Sequence, residues 1–380
     1  MNKKTIAIIV VLVLVVAIGI IAIKRPKGSS DEIIVGGNFE MTGNVATYGT
    51  SVMNAVELAF DEVNKSGELK NKIVLVKADN RSDGAESANM ARKLIDQDKV
   101  VAIIGPVTST NAIAAAQVAQ SNKIPLISPT GTAVEVTQVG NYIFRACFLD
   151  DFQGKKMANF AYNTLGSRKA AILHAKNDYS EGLARYFKAL YVANGGQIVA
   201  EEAFLDNDTD FKAQLTKIKA AKPDMIYVPG YYNECGGIAL QARQMGITVP
   251  LTGGDGWDYA DLPSIAGAEN LNNILFTNHF TVADEDPAVQ SFVNNYKEKY
   301  GKLPDSFAAL GYEAAMMLVD AIKRADSSDP EAIRQALAET ENFKALSATI
   351  TLDENRNPMK SLFIVELKNG EPSVREIVNP

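Results

Sequence analysis

The chain has 380 residues, which is more than one ordinary hydrophobic core accommodates, so its length predicts two domains. Its hydrophobic content of 47% and charged content of 22% are those of a globular protein. The formal charge is −7, but the first 27 residues hold five basic side chains and no acidic one, which leaves 33 basic against 45 acidic residues, or −12, for the rest. So acidic a body argues against nucleic acid or an anionic membrane surface as its partner.

The N-terminus predicts export. Residues 5–23 carry no charge, follow Lys3 and Lys4, and are long enough to span a bilayer. A cleaved secretory signal has the same basic start, but its apolar core is usually shorter and ends at a small-residue site, which residues 20–24 do not offer. We therefore predict a signal-anchor with a short polar linker over residues 1–30, a cleaved signal being the alternative. Either one places the body outside the cytoplasm, in the periplasm or on the outer face of the cell membrane.

From Ile33 the chain alternates between short apolar runs and amphipathic helices, as expected of parallel sheets covered by helices on both faces. The first half predicts strands at 33–39, 73–78, 101–104, 125–128 and 142–145, and helices at 51–64, 85–95 and 111–120. After Leu149 the same alternation restarts. It predicts strands at 170–174, 197–204, 225–228 and 249–252, and helices at 152–164, 179–193, 210–220 and 233–245.

The last hundred residues are predicted to add helices to the first half of the fold and then to form strands with an alternating pattern. A strand at 273–277 precedes helices at 286–300, 307–325 and 329–339. The segments 348–352, 361–367 and 373–378 alternate between apolar and polar residues, and Asn369-Gly370 is a hairpin signal. We expect these three segments to be antiparallel strands attached to the edges of the two sheets.

Signatures of catalysis and of cofactor binding are missing from the sequence. Neither glycine-rich nucleotide-binding motif occurs, and the acidic stretches 79–84, 206–210 and 353–357 fail the calcium-loop template. The two histidines, His174 and His279, have no recognisable serine or cysteine nucleophile beside them in the sequence. Cys147 and Cys235 form no metal spacing, and we expect two buried thiols, a single bridge being the alternative. The pattern favours a binding protein without cofactor or metal over an enzyme.

Residues 101–132 contain two successive strand-to-helix turns that are rich in hydroxyl groups. The first turn is Thr108-Ser109-Thr110 and the second is Thr130-Gly131-Thr132. Free backbone N–H groups, the helix dipole and hydroxyls at such turns suit a small anion. We hypothesise that Ser109 and Thr132 bind a carboxylate, the alternative being plain N-capping. Two such turns at neighbouring strand ends favour a site, since ligands of open α/β sheets bind there.

An acidic side chain and several aromatic ones fall at other strand ends. Asp255 stands between glycines in Gly253-Gly254-Asp255-Gly256-Trp257, which lets the backbone turn tightly and aim the carboxylate into a cleft. A carboxylate facing two anion-binding turns is complementary to a zwitterion. Tyr48, Tyr179, Tyr231 and Phe307 would then cover a neutral side chain. The alternatives are an exposed turn aspartate and packed junction tyrosines.

These residues resemble those of a known family from Ile33 to the C-terminus. The chain is similar to a type I periplasmic binding protein of the leucine/isoleucine/valine-binding kind, the receptor of branched-chain amino-acid ABC transporters. The segments that carry the likeness are MTGNVATYG (41–49), IGPVTST (104–110), PTGTA (129–133), DYSEG (178–182), GYY (230–232) and GGDGW (253–257). Their order and spacing are diagnostic, whereas no single segment is.

The resemblance implies an α/β fold of two Rossmann-like lobes joined by three crossing strands, with a ligand between the lobes. We expect residues 31–149 and 279–352 in the first lobe, and 150–278 and 353–380 in the second. By position, Ser109 and Thr132 would take the ligand's α-carboxylate. The Thr130 carbonyl, the Thr132 hydroxyl and Asp255 would take its α-ammonium. The side-chain pocket would be lined by Tyr48, Tyr179, Tyr231 and Phe307, with Val107 and Thr108 nearby.

The resemblance also implies a function, from which the chain departs in detail. It implies an exported, monomeric receptor that binds a neutral amino acid and delivers it to an ABC permease with its ATPase subunits. A glutamate is familiar in the family where this chain has Asp255, Gly131 offers more room than alanine, and Trp257 adds an aromatic face. With these changes we still expect an amino-acid ligand, but the identity of its side chain is left open. The alternative is a sensor domain that binds an amino acid or amide for signalling.

Overall fold

The computed structural model describes residues 32–346 and 348–380, of which 33–380 form one compact unit. The predicted signal-anchor therefore lies outside the described residues. Within the described ranges, no helix is both long and apolar enough to cross a bilayer. The predicted α/β fold with two lobes is confirmed, each lobe containing one sheet, while the boundaries of the lobes along the chain stay a prediction.

The first sheet has five strands in the order β2-β1-β3-β4-β5. Its elements are β1 (Glu32–Phe39), α1 (Ala46–Ser66), β2 (Lys72–Asp79), α2 (Gly84–Asp96), β3 (Ala102–Ile104), α3 (Ser109–Ser121), β4 (Leu126–Ser128), α4 (Glu135–Gln138) and β5 (Ile143–Arg145). The pairs β1–β3, β3–β4 and β4–β5 are parallel. Because β3, β4 and β5 are only three residues long and fully buried, they appear in the sequence as short apolar runs.

The second sheet has seven strands in the order β14-β13-β10-β9-β8-β6-β7. Its elements begin with α5 (Asp150–Asn159), continued by a π-helical turn (Phe160–Thr164), and go on with β6 (Lys169–Ala175), α6 (Asp178–Ala193), β7 (Gln197–Phe204), α7 (Lys212–Ala221), β8 (Met225–Tyr227), α8 (Tyr232–Gln244), β9 (Leu251–Gly253), a 3-10 turn (Asp255–Trp257), α9 (Leu262–Ala266), a second 3-10 turn (Ala268–Asn270) and β10 (Ile274–Asn278). Strands β7, β6, β8, β9 and β10 pair in parallel.

The remaining elements are α10 (Pro287–Tyr300), α11 (Ser306–Ala325), α12 (Pro330–Ala338), β11 (Phe343–Lys344), β12 (Thr349–Ile350), β13 (Leu362–Lys368) and β14 (Glu371–Val378). Helix α11 packs along α1 and so returns the chain to the first sheet. The hairpin β13–β14 extends the second sheet antiparallel to β10, with its turn at Asn369-Gly370 as predicted. The edge strand predicted at 348–352 is wrong, because β12 pairs with β11 in a separate two-stranded sheet.

Helices α1 and α3 begin earlier than the sequence predicts, and both changes affect candidate site residues. Helix α1 begins at Ala46 instead of Ser51, which places Tyr48 in its first turn. Helix α3 begins at Ser109 instead of Asn111. Neither Val45 nor Thr108, the residues that precede these helices, makes a side-chain capping bond. The capping hydrogen bond is therefore missing at both positions, and at Val45 the usual residue type is missing as well.

Candidate functional site

The turn between β3 and α3 is built around the buried carboxylate of Glu40. Its Oε2 accepts a hydrogen bond from the Val107 amide at 3.0 Å, and its Oε1 accepts from the Thr108 amide at 3.1 Å. The Asn111 side chain donates to Oε1 at 2.8 Å. Burial raises the pKa of Glu40, and these hydrogen bonds oppose the rise. Part of the anion-binding capacity predicted for this turn is therefore taken by the protein's own carboxylate.

Ser109 and Thr130 lie where the two hydroxyl-rich turns meet. The Ser109 Oγ accepts a hydrogen bond from the Ala133 amide at 3.1 Å. Since a hydroxyl both accepts and donates, the Ser109 proton stays available for an acceptor in the site. The Thr130 hydroxyl donates to the Val107 carbonyl at 2.6 Å and so ties the second turn to the first. Fewer polar groups of the two turns are thus free to bind a ligand than the residue types suggest.

The second turn is shaped by Gly131 and by a buried arginine. A Cβ on Gly131 would lie 2.6 Å from the Ser128 Oγ, so this glycine makes room for that hydroxyl and not for a ligand, contrary to the prediction. Arg145, at the end of β5, is fully buried and donates to the Gly131 and Ala133 carbonyls, both at 2.8 Å. It therefore fixes the carbonyl directions of the turn. The sequence-based prediction does not include Arg145, although an arginine ending an apolar strand is a signal.

Asp255 lies in the 3-10 turn that follows β9 and is 3% exposed. Its Oδ1 accepts hydrogen bonds from the Tyr179 hydroxyl at 2.8 Å and from the Gln153 amide at 3.0 Å. The two flanking glycines are required by close contacts, because a Cβ on Gly254 would lie 2.5 Å from the Tyr179 hydroxyl and one on Gly256 would lie 2.4 Å from the Gly230 carbonyl. The carboxylate is buried as the sequence predicts, so the alternative of an exposed turn aspartate is wrong.

His279 holds the other oxygen of Asp255. Its Nε2 lies 2.9 Å from Oδ2 of Asp255, and its ring stacks on Phe148 with a centroid distance of 3.6 Å. Burial lowers the pKa of His279, so the ring is neutral at pH 7 and Nε2 carries the proton that it donates to the carboxylate. The prediction from sequence gave His279 no role in the site. Only its position just after a strand could have indicated one.

Four aromatic rings form the wall opposite the two hydroxyl-rich turns. Tyr48 stacks on Phe307 at 3.9 Å between centroids, and Tyr179 stacks on Tyr231 at 5.3 Å. The Tyr48 hydroxyl donates to the Gly256 carbonyl at 2.5 Å and accepts from the Tyr232 amide at 3.0 Å. The hydroxyl of Tyr48 is therefore used within the protein, and only its ring faces the site.

These groups line one small cavity. Nine of the ten predicted site residues line it, together with Gly256: Tyr48, Val107, Thr108, Ser109, Thr130, Tyr179, Tyr231, Asp255 and Phe307. Thr132 is the exception, since it is 1% exposed and does not line the cavity. Its Oγ1 has no hydrogen bond in the described part of the chain. The cavity is smaller than the pockets that hold drug-sized molecules, so its occupant is small.

Nothing in the described part of the chain forms a metal centre. No group of three or more histidine, cysteine, aspartate or glutamate side chains among residues 32–346 and 348–380 is arranged to hold an ion. Cys147 and Cys235 are both free and buried, as expected from the sequence, so the alternative of a bridge between them is wrong. The functional groups that line the cavity are hydroxyls, one carboxylate and aromatic rings.

Comparison with known proteins agrees with this geometry. The family model described as periplasmic binding protein matches residues 32–372. This chain belongs to that family. The Leu/Ile/Val-binding protein BraC3 of Rhizobium johnstonii is 32% identical over 327 residues, which are 85% of this chain and 88% of that protein.

Two solved structures share the fold of this family member over nearly the whole described chain. A leucine binding protein from Thermotoga maritima is 39% identical with a TM-score of 0.87, over 92% of this chain and 99% of that one. A branched-chain amino acid transporter substrate binding protein from Streptococcus pneumoniae, in complex with isoleucine, is 37% identical with a TM-score of 0.87, over 92% and 100%. The type I periplasmic binding protein fold and the kinship with Leu/Ile/Val-binding proteins are thereby established.

Proposed function

We propose that this protein is the extracytoplasmic substrate-binding component of an ABC transporter and that it binds a neutral, apolar amino acid in the cavity between its lobes. The observation that carries the proposal is that one buried carboxylate, Asp255, and the Ser109 hydroxyl line the same small cavity. A zwitterion is complementary to such a site at both ends. The names of the relatives support the amino-acid class.

The carboxylate of the ligand is assigned to the end formed by the two hydroxyl-rich turns. Ser109 retains a proton to donate, and the start of α3 directs its dipole toward the site. The expected share of Thr132 in this contact is smaller, since its side chain does not line the cavity in the closed arrangement. A small anion is thus held by a helix start and one hydroxyl.

The ammonium is assigned to Asp255 and the Thr130 carbonyl. A carboxylate has about four lone-pair positions, and three of those on Asp255 are used by Tyr179, Gln153 and His279. One position therefore remains for the ligand. The three donors fix the carboxylate before the ligand arrives, which reduces the ordering cost of binding.

The side chain of the ligand is assigned to the aromatic wall. Val107 and the rings of Tyr48 and Phe307 offer an apolar surface there, and no lysine or arginine lines this cavity. An acidic ligand side chain would be buried without a partner, which is costly. A branched aliphatic or other apolar side chain is complementary to this surface.

Transport is the role that the family supports, and a sensor is the second candidate. As a receptor, the protein would close around its ligand and deliver it to a permease and its ATPase, held at the membrane by its N-terminal segment and acting as a monomer. A sensor of the same fold would bind the same ligand but pass the signal to a separate output protein. A catalytic role has no support from the site, whose polar groups include no nucleophile paired with a base.

Thermal unfolding against a panel of amino acids tests the proposal. We expect neutral apolar L-amino acids to raise Tm in a concentration-dependent way, because a ligand that binds only the native state stabilises it. Aspartate, glutamate, lysine and arginine should leave Tm unchanged. If no amino acid in the panel shifts Tm or releases heat on titration, the amino-acid assignment is wrong. Reconstituted uptake with the neighbouring permease distinguishes a transporter from a sensor.

A further inference from the structure

Asp150 is a second acid beside the site whose role the established family function does not explain. It is the first residue of α5, is fully buried, and its amide donates to the Thr132 carbonyl at 3.0 Å. Its Oδ1 accepts from the Gln153 amide at 2.9 Å, and the same amide donates to Asp255 at 3.0 Å. One side-chain amide therefore bridges two buried carboxyl groups.

Two polar atoms next to this bridge have no hydrogen bond. They are Oδ2 of Asp150 and Oγ1 of Thr132, and both are buried. The Thr132 hydroxyl is near enough to Asp150 to favour its ionised form, but the two groups do not reach hydrogen-bond geometry. Buried polar groups without partners are rare in native proteins because each costs free energy. Even when the Thr132 hydroxyl donates to Asp150, the Thr132 oxygen has no donor of its own, so the pair indicates a missing donor group.

The charges around Asp150 indicate what that group carries. Burial raises the pKa of Asp150 well above its usual value, and the charge of Asp255 raises it further. Arg145 is the cation that opposes this rise, yet its bonds go to backbone carbonyls and to Thr137 instead of Asp150. His279, which faces Asp255, is neutral because burial lowers its pKa. Two carboxylates thus share one permanent cation, and a second cation would balance them.

We propose that Asp150 is a positioning residue of the ammonium subsite. It accepts the proton of the Thr132 hydroxyl, which turns the lone pairs of Thr132 toward the ligand's ammonium, and its negative charge adds to that of Asp255. Ligand binding thereby gives a partner to both unpaired atoms. This inference rests on the proposed function, since it requires a ligand with an ammonium group.

A consequence is that ligand binding is linked to a proton. In the empty closed site the raised pKa of Asp150 favours its protonated form, and the arriving ammonium lowers that pKa again. Binding of an amino acid therefore releases part of a proton, and affinity rises with pH as Asp150 ionises. A ligand that lacks the ammonium has no such dependence.

The test compares Asp150→Asn with wild type on two ligands of one side chain, L-leucine and 2-hydroxy-4-methylpentanoate, by calorimetric titration. The asparagine keeps the acceptor for Gln153 but donates to the Thr132 oxygen and so occupies the lone pair that the ammonium needs. We expect the affinity for leucine to fall by about tenfold or more, with the hydroxy acid changed by less than about twofold. Asp151→Asn is the matched control, since Asp151 is the next residue and is ion-paired with Lys155.

Proton release and coupling provide independent readouts. Titrations in phosphate and in Tris buffer at one pH measure the protons released by wild type, and Asp150→Asn should release none. In a double-mutant cycle with Thr132→Val, the loss caused by Asp150→Asn should largely disappear, because both act on one contact. If Asp150→Asn is poorly folded, the single variant Thr132→Val still tests the inference. Its affinity for leucine should fall, whereas its affinity for the hydroxy acid should not.

Three results would overturn the inference. The first is an equal loss of affinity for leucine and for the hydroxy acid in Asp150→Asn, and the second is an unchanged leucine affinity in that variant. The third is a leucine affinity that depends on sodium or potassium, which would assign the unpaired atoms to a metal cation. Failure of wild type to bind leucine or any other amino acid would instead contradict the proposed function. The two failures are therefore distinguishable.

Discussion

Asp255 is held by three groups of the protein before any ligand arrives. Tyr179, Gln153 and His279 come from α6, α5 and the segment after β10, so the position of one carboxylate depends on three separate parts of the chain. The residue types at strand ends predicted the acid and the tyrosine. They did not predict Gln153 or His279, because a glutamine within a helix and a histidine after a strand carry no pattern that identifies their partner.

Replacing Asp255 by alanine should weaken ligand binding strongly. We expect a loss of about 3 kcal/mol, or roughly 100-fold in Kd, because the ammonium is left buried without its counter-charge. The variant should also have a lower Tm, since Tyr179, Gln153 and His279 lose their acceptor. Calorimetric titration and thermal unfolding measure the two effects. Asp261→Ala, at an exposed acid nearby, is the control, and an undiminished affinity in Asp255→Ala would remove this residue from the site.

The two thiols should be inert in the folded protein. Burial raises the pKa of Cys147 to about 12 and raises that of Cys235 well above its usual value, so neither forms a thiolate at pH 8. Titration with Ellman's reagent should detect no thiol in the native protein and two per chain in guanidinium chloride. Rapid reaction of the native protein would contradict the burial, and no reaction after denaturation would show a disulfide.

At the scale of elements, the order of strands and helices follows from the sequence, but the starts of α1 and α3 do not. Neither helix has a side-chain capping bond at the usual position, and at α3 the carboxylate of Glu40, 67 residues before Val107 in the chain, takes the place of a cap. A contact between residues so distant in sequence has no local signal. The same reason applies to β12, since a two-residue strand contains too little pattern to specify its partner.

The replacement Glu40→Gln should destabilise the turn that carries Ser109. The glutamine retains one acceptor oxygen, but its NH₂ group would face a backbone amide that now donates to the carboxylate. We expect a loss of about 1–3 kcal/mol in the free energy of unfolding, measured by urea denaturation. Glu86→Gln, in the first turn of α2, is the matched control. A stability equal to that of wild type would contradict the structural role assigned to Glu40.

At the scale of the whole molecule, the cavity is closed by contacts that involve no ligand. Asn44, in the loop after β1, donates to Glu234 at 2.9 Å, and its carbonyl accepts from Asn233 at 2.7 Å, both residues of α8. On another side of the cavity the Thr110 hydroxyl donates to Asp178 at 2.6 Å. These bonds join loops and helices that pack on the first sheet to helices that pack on the second. The family resemblance predicted a ligand between two lobes, but the bonds that join the lobes depend on side-chain geometry that no sequence pattern contains.

Replacing Asn44 by alanine should therefore speed ligand release without altering a ligand contact. We expect the affinity to fall by about fivefold, mainly through a larger dissociation rate constant, because the side-chain bonds to α8 form only in the closed arrangement. Trp257, the single tryptophan of the chain, lies buried beside Asp255 and serves as the probe for stopped-flow fluorescence. Asn194→Ala, whose side chain bonds Asn159 on the surface, should behave as wild type. An unchanged dissociation rate would show that these bonds do not hold the cleft closed.

The central claim is that the cavity between Ser109 and Asp255 recognises both charges of a neutral amino acid. The most direct measurement is calorimetric titration of the wild-type protein with L-leucine, L-isoleucine and L-valine, with 4-methylpentanoate, which lacks the ammonium, and with leucinamide, which lacks the carboxylate. We expect binding of at least one of the three amino acids, with both leucine analogues bound at least about 100-fold more weakly than leucine. Binding of 4-methylpentanoate as tight as that of leucine, or no binding of any neutral amino acid, would contradict it.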